Sequence, residues 1–194
     1  KTWGKSLQEG FYYSYENNIP RRIKTSANLV NLPIQNTDEL DLILYTKVGL
    51  GDGQQSSNPW LQEFPDPITR VTWDNYLTVS YTDAERLGLK NYNVSNGALN
   101  GSYVTVSNDK NSVKVPVIVQ PGQTPGTVGL ALGYGKTQAM SEEMNIGVNA
   151  YKFYNNFKKT HKVNISKVKG DHEFACIQLH NTMMGRDEII KETS

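Results

Sequence analysis

The sequence predicts a mainly β fold, either a barrel or a sandwich, whose strands are joined by long loops. Many segments of strand length are apolar or alternate between apolar and polar residues, while only residues 82–89 have the pattern of a helix. Strands and helices do not alternate along the chain, as they would in a parallel α/β fold. The 194 residues are enough to bury a substantial core.

The chain is predicted to have two parts of unequal size. Residues 1–38 are predicted to be an irregular lead-in, and residues 39–194 to be one β domain, because no clean linker divides them. The chain begins without methionine and stops within a helix-like pattern. We therefore expect a fragment of a longer protein.

The first strand of the β domain is predicted in residues 39–47 (ELDLILYTK), which are mostly apolar and so buried on both faces. A long loop rich in Gly, Gln and Ser follows. The next segment, residues 58–76 (NPWLQEFPDPITRVTWDNY), holds two tryptophans and three prolines. Because proline fixes φ and lacks an amide proton, this segment is predicted to form neither a helix nor a central strand.

The single predicted helix, residues 82–89 (TDAERLGL), follows this segment. Thr82 or Asp83 is expected to be its N-cap, since their side-chain oxygens can accept the free amide protons of a first turn. Gly88 is expected to end the helix, since glycine readily adopts the left-handed conformation.

The second half of the chain is predicted to continue the sheet. Residues 101–109 and 112–120 alternate in polarity and are expected to form a hairpin through the turn NDKN. Residues 121–135 follow as a turn, a strand and a glycine-rich exit. Residues 141–153 lead into another strand, and residues 162–179 are predicted to be a final hairpin with its turn at Lys169-Gly170.

Charge and composition exclude several functions. The formal net charge of +1 gives no field that would attract nucleic acid or an acidic membrane surface. No apolar run approaches the roughly 18 residues of a membrane span, so the chain is predicted to be soluble. The single cysteine, Cys176, rules out an internal disulfide and an iron–sulfur cluster held by this chain alone, and it is expected to be a buried apolar residue.

No pattern identifies a catalytic or metal site. The segment GLALGYGKT fails the P-loop spacing, because Leu130 stands where the motif needs its first glycine. His161, His172 and His180 lack the spacing of metal ligands, and the charges of residues 171–173 are predicted to be solvated beside a turn. No serine lies in a nucleophile-elbow motif.

The loops between the strands are rich in glycine and in side-chain amides. Asn and Gln offer donors and acceptors together, which suits the edges of a neutral heterocycle such as a purine or a pterin. The same residues are also common in loops that bind nothing. Composition alone favours this simpler interpretation.

Several motifs resemble, in order, the C-terminal dinucleotide-binding domain of the molybdopterin oxidoreductases, the DMSO reductase superfamily. The match covers roughly residues 40–190. The motifs are Asn58–Glu63 (NPWLQE), 73–75 (WDN), 84–89 (AERLGL), the strand 101–107, the segment 113–135 with its Pro-Gly-Thr-Val strand and Gly-x-Gly end, and 145–151 (NIGVNAY).

A closer resemblance is to the large iron–sulfur subunit of alternative complex III, a quinol-oxidising respiratory complex, in residues 61–75 and 180–193 (HNTMMGRDEIIKET). It implies a double-psi β-barrel on the periplasmic side of the bacterial inner membrane, in a non-catalytic domain of an oxidoreductase subunit involved in electron transfer. Residues 1–38 are then the connection from a preceding domain. The expected partners are other domains of the same chain and respiratory complex subunits, with Fe–S clusters only in the missing part of the parent chain.

The resemblance also implies a binding site for a molybdopterin guanine dinucleotide, with no catalytic or metal-ligating residue. One side of the site would be lined by Gly51, Gln54, Asn58 and Trp60, and a heterocycle edge would be read by Asp74 and Asn75. The pyrophosphate would be approached by Gly135, Lys136 and Thr137, and the pterin would be contacted by Asn145 and Asn149.

An alternative remains open, because the sequence departs from the family at two positions. The family usually has Arg or His in the loop after the first strand and His after Gly-x-Gly, whereas this chain has Lys47 and Lys136. The domain is then a structural and interaction scaffold without a molybdenum cofactor. In that case Trp60 and Trp73 pack the proline-rich loop onto the barrel.

Overall fold

The chain divides into two units, Lys1–Gln35 and Asn36–Ser194. In the first unit, helix α1 spans Thr2–Glu9 and places Trp3 and Leu7 one turn apart. The predicted irregular lead-in is therefore wrong for these residues. The computed structural model describes residues 2–11, 38–94, 98–137, 142–155, 158 and 160–177, so the rest of the lead-in and the segment 180–193 lie outside the described residues.

The described part of the second unit is mainly β, which confirms the predicted fold class. Two short α-helices, α2 (Pro59–Glu63) and α3 (Tyr81–Leu87), and two 3-10 helices, Glu142–Met144 and Ala150–Phe153, lie between the strands. The strands are β1 (Leu40–Tyr45), β2 (Leu77–Val79), β3 (Asn91–Asn93), β4 (Leu99–Ser107), β5 (Ser112–Val119), β6 (Thr127–Ala131) and β7 (Thr160–Phe174).

The strands form one mixed sheet of seven strands in the order β3-β4-β5-β2-β6-β1-β7. An additional pairing joins β4 to β7, so that every strand except β3 belongs to a closed ring. The pairs β1–β6 and β2–β5 are parallel, and the other pairs are antiparallel.

The hydrophobic core is enclosed by this ring. Alternate residues of a strand point to one face, so Val104 and Val106 of β4 are both fully buried. Every strand of the ring contributes to the same buried cluster, through residues such as Leu42, Leu77, Val104, Val115, Leu130 and Val163. The ring thus leaves its connecting loops at the surface, where a ligand can reach them.

Helix α2 corrects the prediction that residues 58–76 contain no helix. Asn58 is its N-cap, and the Oδ1 atom of Asn58 accepts a hydrogen bond from the amide of Trp60 at 3.1 Å. Pro59 occupies the first turn, where a missing amide proton costs nothing and the fixed φ favours the helix. The helix ends at Phe64, immediately before Pro65, because a residue that precedes proline is kept out of the helical region.

Helix α3 confirms the predicted helix and its end at Gly88, whose φ is +65°. The predicted N-cap is wrong, since Ser80 takes this position and its Oγ accepts from the amide of Asp83 at 3.1 Å. Asp83 instead stands three residues into the helix, and its carboxylate accepts from the Ser80 hydroxyl at 2.7 Å. This reciprocal arrangement resembles a capping box, with Asp in place of Glu.

Strand β7 corrects the predicted final hairpin. It is one strand of 15 residues that pairs with β4 on both sides of an irregularity between Ser102 and Tyr103. Lys169 and Gly170 are left unpaired opposite this point, and Gly170 has φ +107°. The Lys-Gly turn pattern is therefore used as a bulge that bends a continuous strand.

The other connections follow the sequence more closely. The β4–β5 hairpin is confirmed, and the Asn108 side chain accepts from the amides of Lys110 and Asn111 in its turn. Strand β6 ends in the predicted glycine-rich exit. Residues 141–153, which were predicted to lead into another strand, contain the two 3-10 helices, and the next strand of the described residues is β7. Among the described residues, no helix has the length and apolar character needed to cross a membrane.

A candidate anion-binding cleft

A cleft of about 850 Å3 opens beside the loops that leave β1 and β6. One wall comes from Asp52 and Gly53 together with residues 133–137, which follow β6. Residues 147–149, Tyr151 and Lys152 also line the cleft, together with Ser112 to Lys114 at the start of β5. Four segments that are separate in the sequence therefore meet in one place.

Glycines allow these loops to approach each other through their main chains. A Cβ on Gly53 would lie 2.6 Å from the Cα of Gly133, and a Cβ on Gly135 would lie 2.3 Å from the amide nitrogen of Asn149. Gly53, Gly133 and Gly135 have φ values of +104°, +94° and +72°. Only glycine meets both demands at low cost, so main chain packs directly against main chain at these two points beside the cleft.

Asn75 holds the 147–149 loop, which lines the cleft, from the interior of the protein. Its side chain has no exposed surface and donates to the carbonyl oxygens of Ala131 at 3.1 Å and Val148 at 2.9 Å. Its Oδ1 atom accepts from the Val148 amide at 2.9 Å. The predicted heterocycle-reading residue therefore holds the 147–149 loop against the end of β6.

Asn149 and Tyr151 hold the other side of the cleft. The Oδ1 atom of Asn149 accepts from the amide of Tyr151 at 3.0 Å and thereby caps the 3-10 helix Ala150–Phe153. The Tyr151 hydroxyl donates to the carbonyl oxygen of Asp52 at 2.7 Å. Two loops that are far apart in the sequence are thus joined at the edge of the cleft.

The charges around the cleft favour an anion. Lys114, Lys136 and Lys152 line it together with Asp52, which gives three positive charges and one negative charge, or +2 formally. Lys136 is exposed, and within the described residues it has no salt bridge. The Lys114 ammonium lies 4.2 Å from the ring centroid of Tyr103, a cation–π contact.

Four of the predicted site residues line this cleft, namely Gly135, Lys136, Thr137 and Asn149. The remaining predicted residues lie elsewhere. Gly51 is in a turn bridged to Lys47, Gln54 is exposed and bonds to Asp52, Asn58 caps α2, and Asn145 is exposed after the 3-10 helix Glu142–Met144.

Trp60 neither lines the cleft nor packs a loop. Its side chain is 81 % exposed, because it points outward from the first turn of α2. The alternative in which Trp60 packs the proline-rich loop onto the sheet is therefore wrong for this residue. Gln62 of the same helix is the buried member, and it donates to the carbonyl oxygen of Ser56.

Asp74 belongs to a network of side-chain hydrogen bonds with His172 and Tyr103. Its Oδ2 atom is 2.7 Å from His172 Nε2, and His172 Nδ1 is 2.8 Å from the Tyr103 hydroxyl. The prediction that the charges of residues 171–173 are solvated is wrong for His172, which is about one-fifth exposed.

Lys47 is a buried cation that the sequence reasoning did not identify. It is 8 % exposed, and its Nζ atom donates to the carbonyl oxygen of Asp74 at 2.9 Å and lies 4.3 Å from the ring centroid of Tyr76. Burial lowers its pKa to about 8, although the charges of Asp66 and Asp74 act in the opposite direction. The segment ELDLILYTK was predicted to be buried because most of its residues are apolar, and nothing in it indicated that the charge of its last residue, Lys47, is buried too.

Cys176 is only half buried, so the expected buried thiol is confirmed in part. It packs against the cluster of Val71, Tyr76, Ile118 and Phe174. Burial raises the pKa of the thiol to about 11, and the charge of Asp74 acts in the same direction. The thiol therefore stays protonated near neutral pH.

A second cleft, of about 950 Å3, lies between α3 and β3. Tyr81 and Tyr92 stand at its rim, and the buried Leu89 and Ile118 form part of its floor. None of the predicted site residues lines it. The first cleft is therefore the candidate site.

The sequence reasoning missed the residues that shape and charge the cleft: Gly53, Gly133, Gly147, Lys114, Tyr151 and Lys152. The glycine-rich segments GDG, GYG and IGVN contain the shaping residues, but nothing in them indicates that they meet. No protein-family model matches the chain, and no curated protein matches it.

Proposed function

We propose that residues 39–194 form a molybdopterin guanine dinucleotide-binding-type domain of a respiratory oxidoreductase subunit involved in electron transfer. One observation carries this proposal. The Gly135-Lys136-Thr137 loop and Asn149, which are separate in sequence, border one glycine-walled cleft with an excess of positive charge. Lysine ammonium groups attract the negative charge of a pyrophosphate and are common phosphate ligands.

The topology of the second unit supports the double-psi β-barrel as part of the proposal. A closed ring of six strands with two parallel pairs is the arrangement expected for a small barrel of mixed direction. The close crossing of the loops at Gly53 and Gly133 is also consistent with loops that pass each other in such a barrel.

The donor set fits the phosphate end of such a cofactor better than its ring systems. The Lys136 ammonium and the Thr137 hydroxyl would hold the pyrophosphate, and Asn149 would lie beside it. The amide of Gly135 is already bonded to the carbonyl oxygen of Ile146 at 3.0 Å, so this glycine shapes the loop and does not donate to the ligand. Asn75 cannot read a heterocycle, because its amide is fully buried and bonded to main-chain groups. A cofactor of this class supplies molybdenum or tungsten redox chemistry, while this domain binds and orients it.

The second candidate function is a scaffold in a quinol-oxidising membrane complex, with no molybdenum cofactor bound. A separate observation favours it, namely the exposed apolar surface of α2, where Trp60 is 81 % and Phe64 is 51 % exposed. These two residues are one turn apart and so share a face. Other domains of the parent chain and subunits of a periplasmic complex are the partners that this candidate proposes.

The decisive experiment is to purify the full-length protein from its native host and to measure molybdenum, tungsten and the fluorescence of oxidised pterin. We expect near-stoichiometric metal and pterin. Asn149→Ala should reduce both, whereas Asn58→Ala should retain them, since each asparagine caps a short helix and only Asn149 lines the cleft. Protein that contains neither metal nor pterin would leave the scaffold as the better explanation.

A further inference from the structure

The size of the cleft indicates more than a phosphate site. Its volume of about 850 Å3 is in the range of about 300–1,000 Å3 that organic ligands occupy. A pyrophosphate alone would leave most of this space to water. A ligand that fills the cleft therefore carries a further group beyond the phosphates.

The lining offers one aromatic surface for such a group. Two aromatic residues line the cleft, Tyr134 and Tyr151. Tyr134 is 7 % exposed, whereas Tyr151 is 42 % exposed. Only Tyr151 presents enough ring surface for contact with a ligand.

Tyr151 is also held in place before any ligand arrives. Its amide is bonded to Asn149 at 3.0 Å, and its hydroxyl is bonded to the carbonyl oxygen of Asp52 at 2.7 Å. The hydroxyl bond holds the outer end of the ring, and the amide bond orders the main chain that carries it. An aromatic surface that is already ordered loses little conformational entropy when a ligand stacks on it.

We propose that Tyr151 is a specificity-determining residue, which makes the cleft select a phosphate ester with a flat ring, such as a nucleoside diphosphate, over inorganic pyrophosphate. The phosphates lie at Lys136 and Thr137, and the ring stacks on Tyr151. This inference rests on the proposed function, because it requires an anion in the same cleft. Stacking of this kind tolerates any base, so the selection is for a ring rather than for one nucleobase.

The test is isothermal titration calorimetry of the 194-residue chain with two probes, GDP and inorganic pyrophosphate, at low ionic strength. We expect the wild-type chain to bind GDP about tenfold more tightly than pyrophosphate, as the loss of one base stack would predict. Compared with Tyr151→Phe, which loses the same hydrogen bond to Asp52, Tyr151→Leu should remove this tenfold preference. Tyr151→Phe, which keeps the ring and loses the bond to Asp52, should retain most of the preference.

Two further variants separate the possible outcomes. Tyr81→Leu, which changes an exposed tyrosine of the second cleft, should alter neither affinity. Lys136→Met should weaken both probes. If Tyr151→Leu weakens both probes equally, or neither, the inference is overturned and Tyr151 is only a structural tie.

The same data distinguish failure of this inference from failure of the proposed function. A wild-type chain that binds pyrophosphate through Lys136 but binds GDP no more tightly would overturn the role of Tyr151 alone. A wild-type chain that binds neither probe would overturn both.

Discussion

Lys47 should give the protein a stability that increases with pH between about 8 and 10. Its ammonium is 8 % exposed, and burial lowers its pKa to about 8 from the usual 10.5. Below pH 8 both the folded and the unfolded chain hold the proton, so the folded state carries the full cost of the buried charge. As the pH rises, the folded state releases the proton first, while the unfolded state still binds it.

The linkage relation gives the size of this effect. With pKa values of about 8 in the folded state and 10.5 in the unfolded state, the free energy of unfolding increases by about 2 kcal/mol between pH 8 and pH 10. Lys47→Met removes the titrating group and should remove this increase. The stability of Lys47→Met at a single pH does not test this increase, because the variant also removes the hydrogen bond that Lys47 donates to the carbonyl oxygen of Asp74.

Urea unfolding followed by tryptophan fluorescence at several pH values, at constant ionic strength, measures the difference between the two proteins. Both should carry Cys176→Ala, because burial raises the thiol pKa to about 11 and so makes the stability fall with pH above 9. The buried tyrosines also have raised pKa values, and they are present in both proteins. Parallel stability curves for the two proteins from pH 8 to pH 10 would refute the buried-lysine argument.

Two further predictions concern the walls of the cleft. Gly53→Ala should cost about 3 kcal/mol or more, because it combines a positive φ with a Cβ 2.6 Å from the Cα of Gly133. Gly122 also has a positive φ, but a Cβ there would meet no atom within 4 Å, so the control Gly122→Ala should cost about 1 kcal/mol. If urea unfolding showed the same loss of unfolding free energy for both variants, the close approach of Gly53 to Gly133 would be contradicted. Asn75→Ala should cost about 3 kcal/mol, because it removes three hydrogen bonds that a buried side chain makes to the main chain of Ala131 and Val148. A loss below about 1 kcal/mol would mean that water replaces the amide.

Local patterns predicted strands β1, β4, β5 and β6, because each depends on a short stretch of sequence, whereas the three-residue strands β2 and β3 were not predicted. The alternation in residues 101–120 is sufficient to indicate the β4–β5 hairpin, and the apolar run at residues 40–45 indicates β1. The failures came where a local pattern has two structural uses. Proline at position 59 both excludes a helix interior and favours a first turn, and Lys169-Gly170 serves equally as a turn or as a bulge.

The candidate site was predicted only in part, because it is built from contacts that span long distances in sequence. The loop 135–137 was identified from its own glycine and lysine. Its partners, Gly53 and Tyr151, are neighbours of that loop only after the ring of strands has closed. The burial of Lys47 has the same origin, since the carbonyl oxygen that accepts its hydrogen bond belongs to Asp74, 27 residues away.

Because the walls of the cleft are main chain and its rim is side chain, shape and chemistry are encoded by different residues. Gly53, Gly133 and Gly135 fix the outline of the cleft, whereas Lys136, Tyr151 and Lys152 give it charge and an aromatic surface. Substitutions at the rim can therefore change what the cleft binds without changing how it is built. A lineage that abandons one ligand can keep the same cavity and adapt it to another by replacing a few exposed side chains.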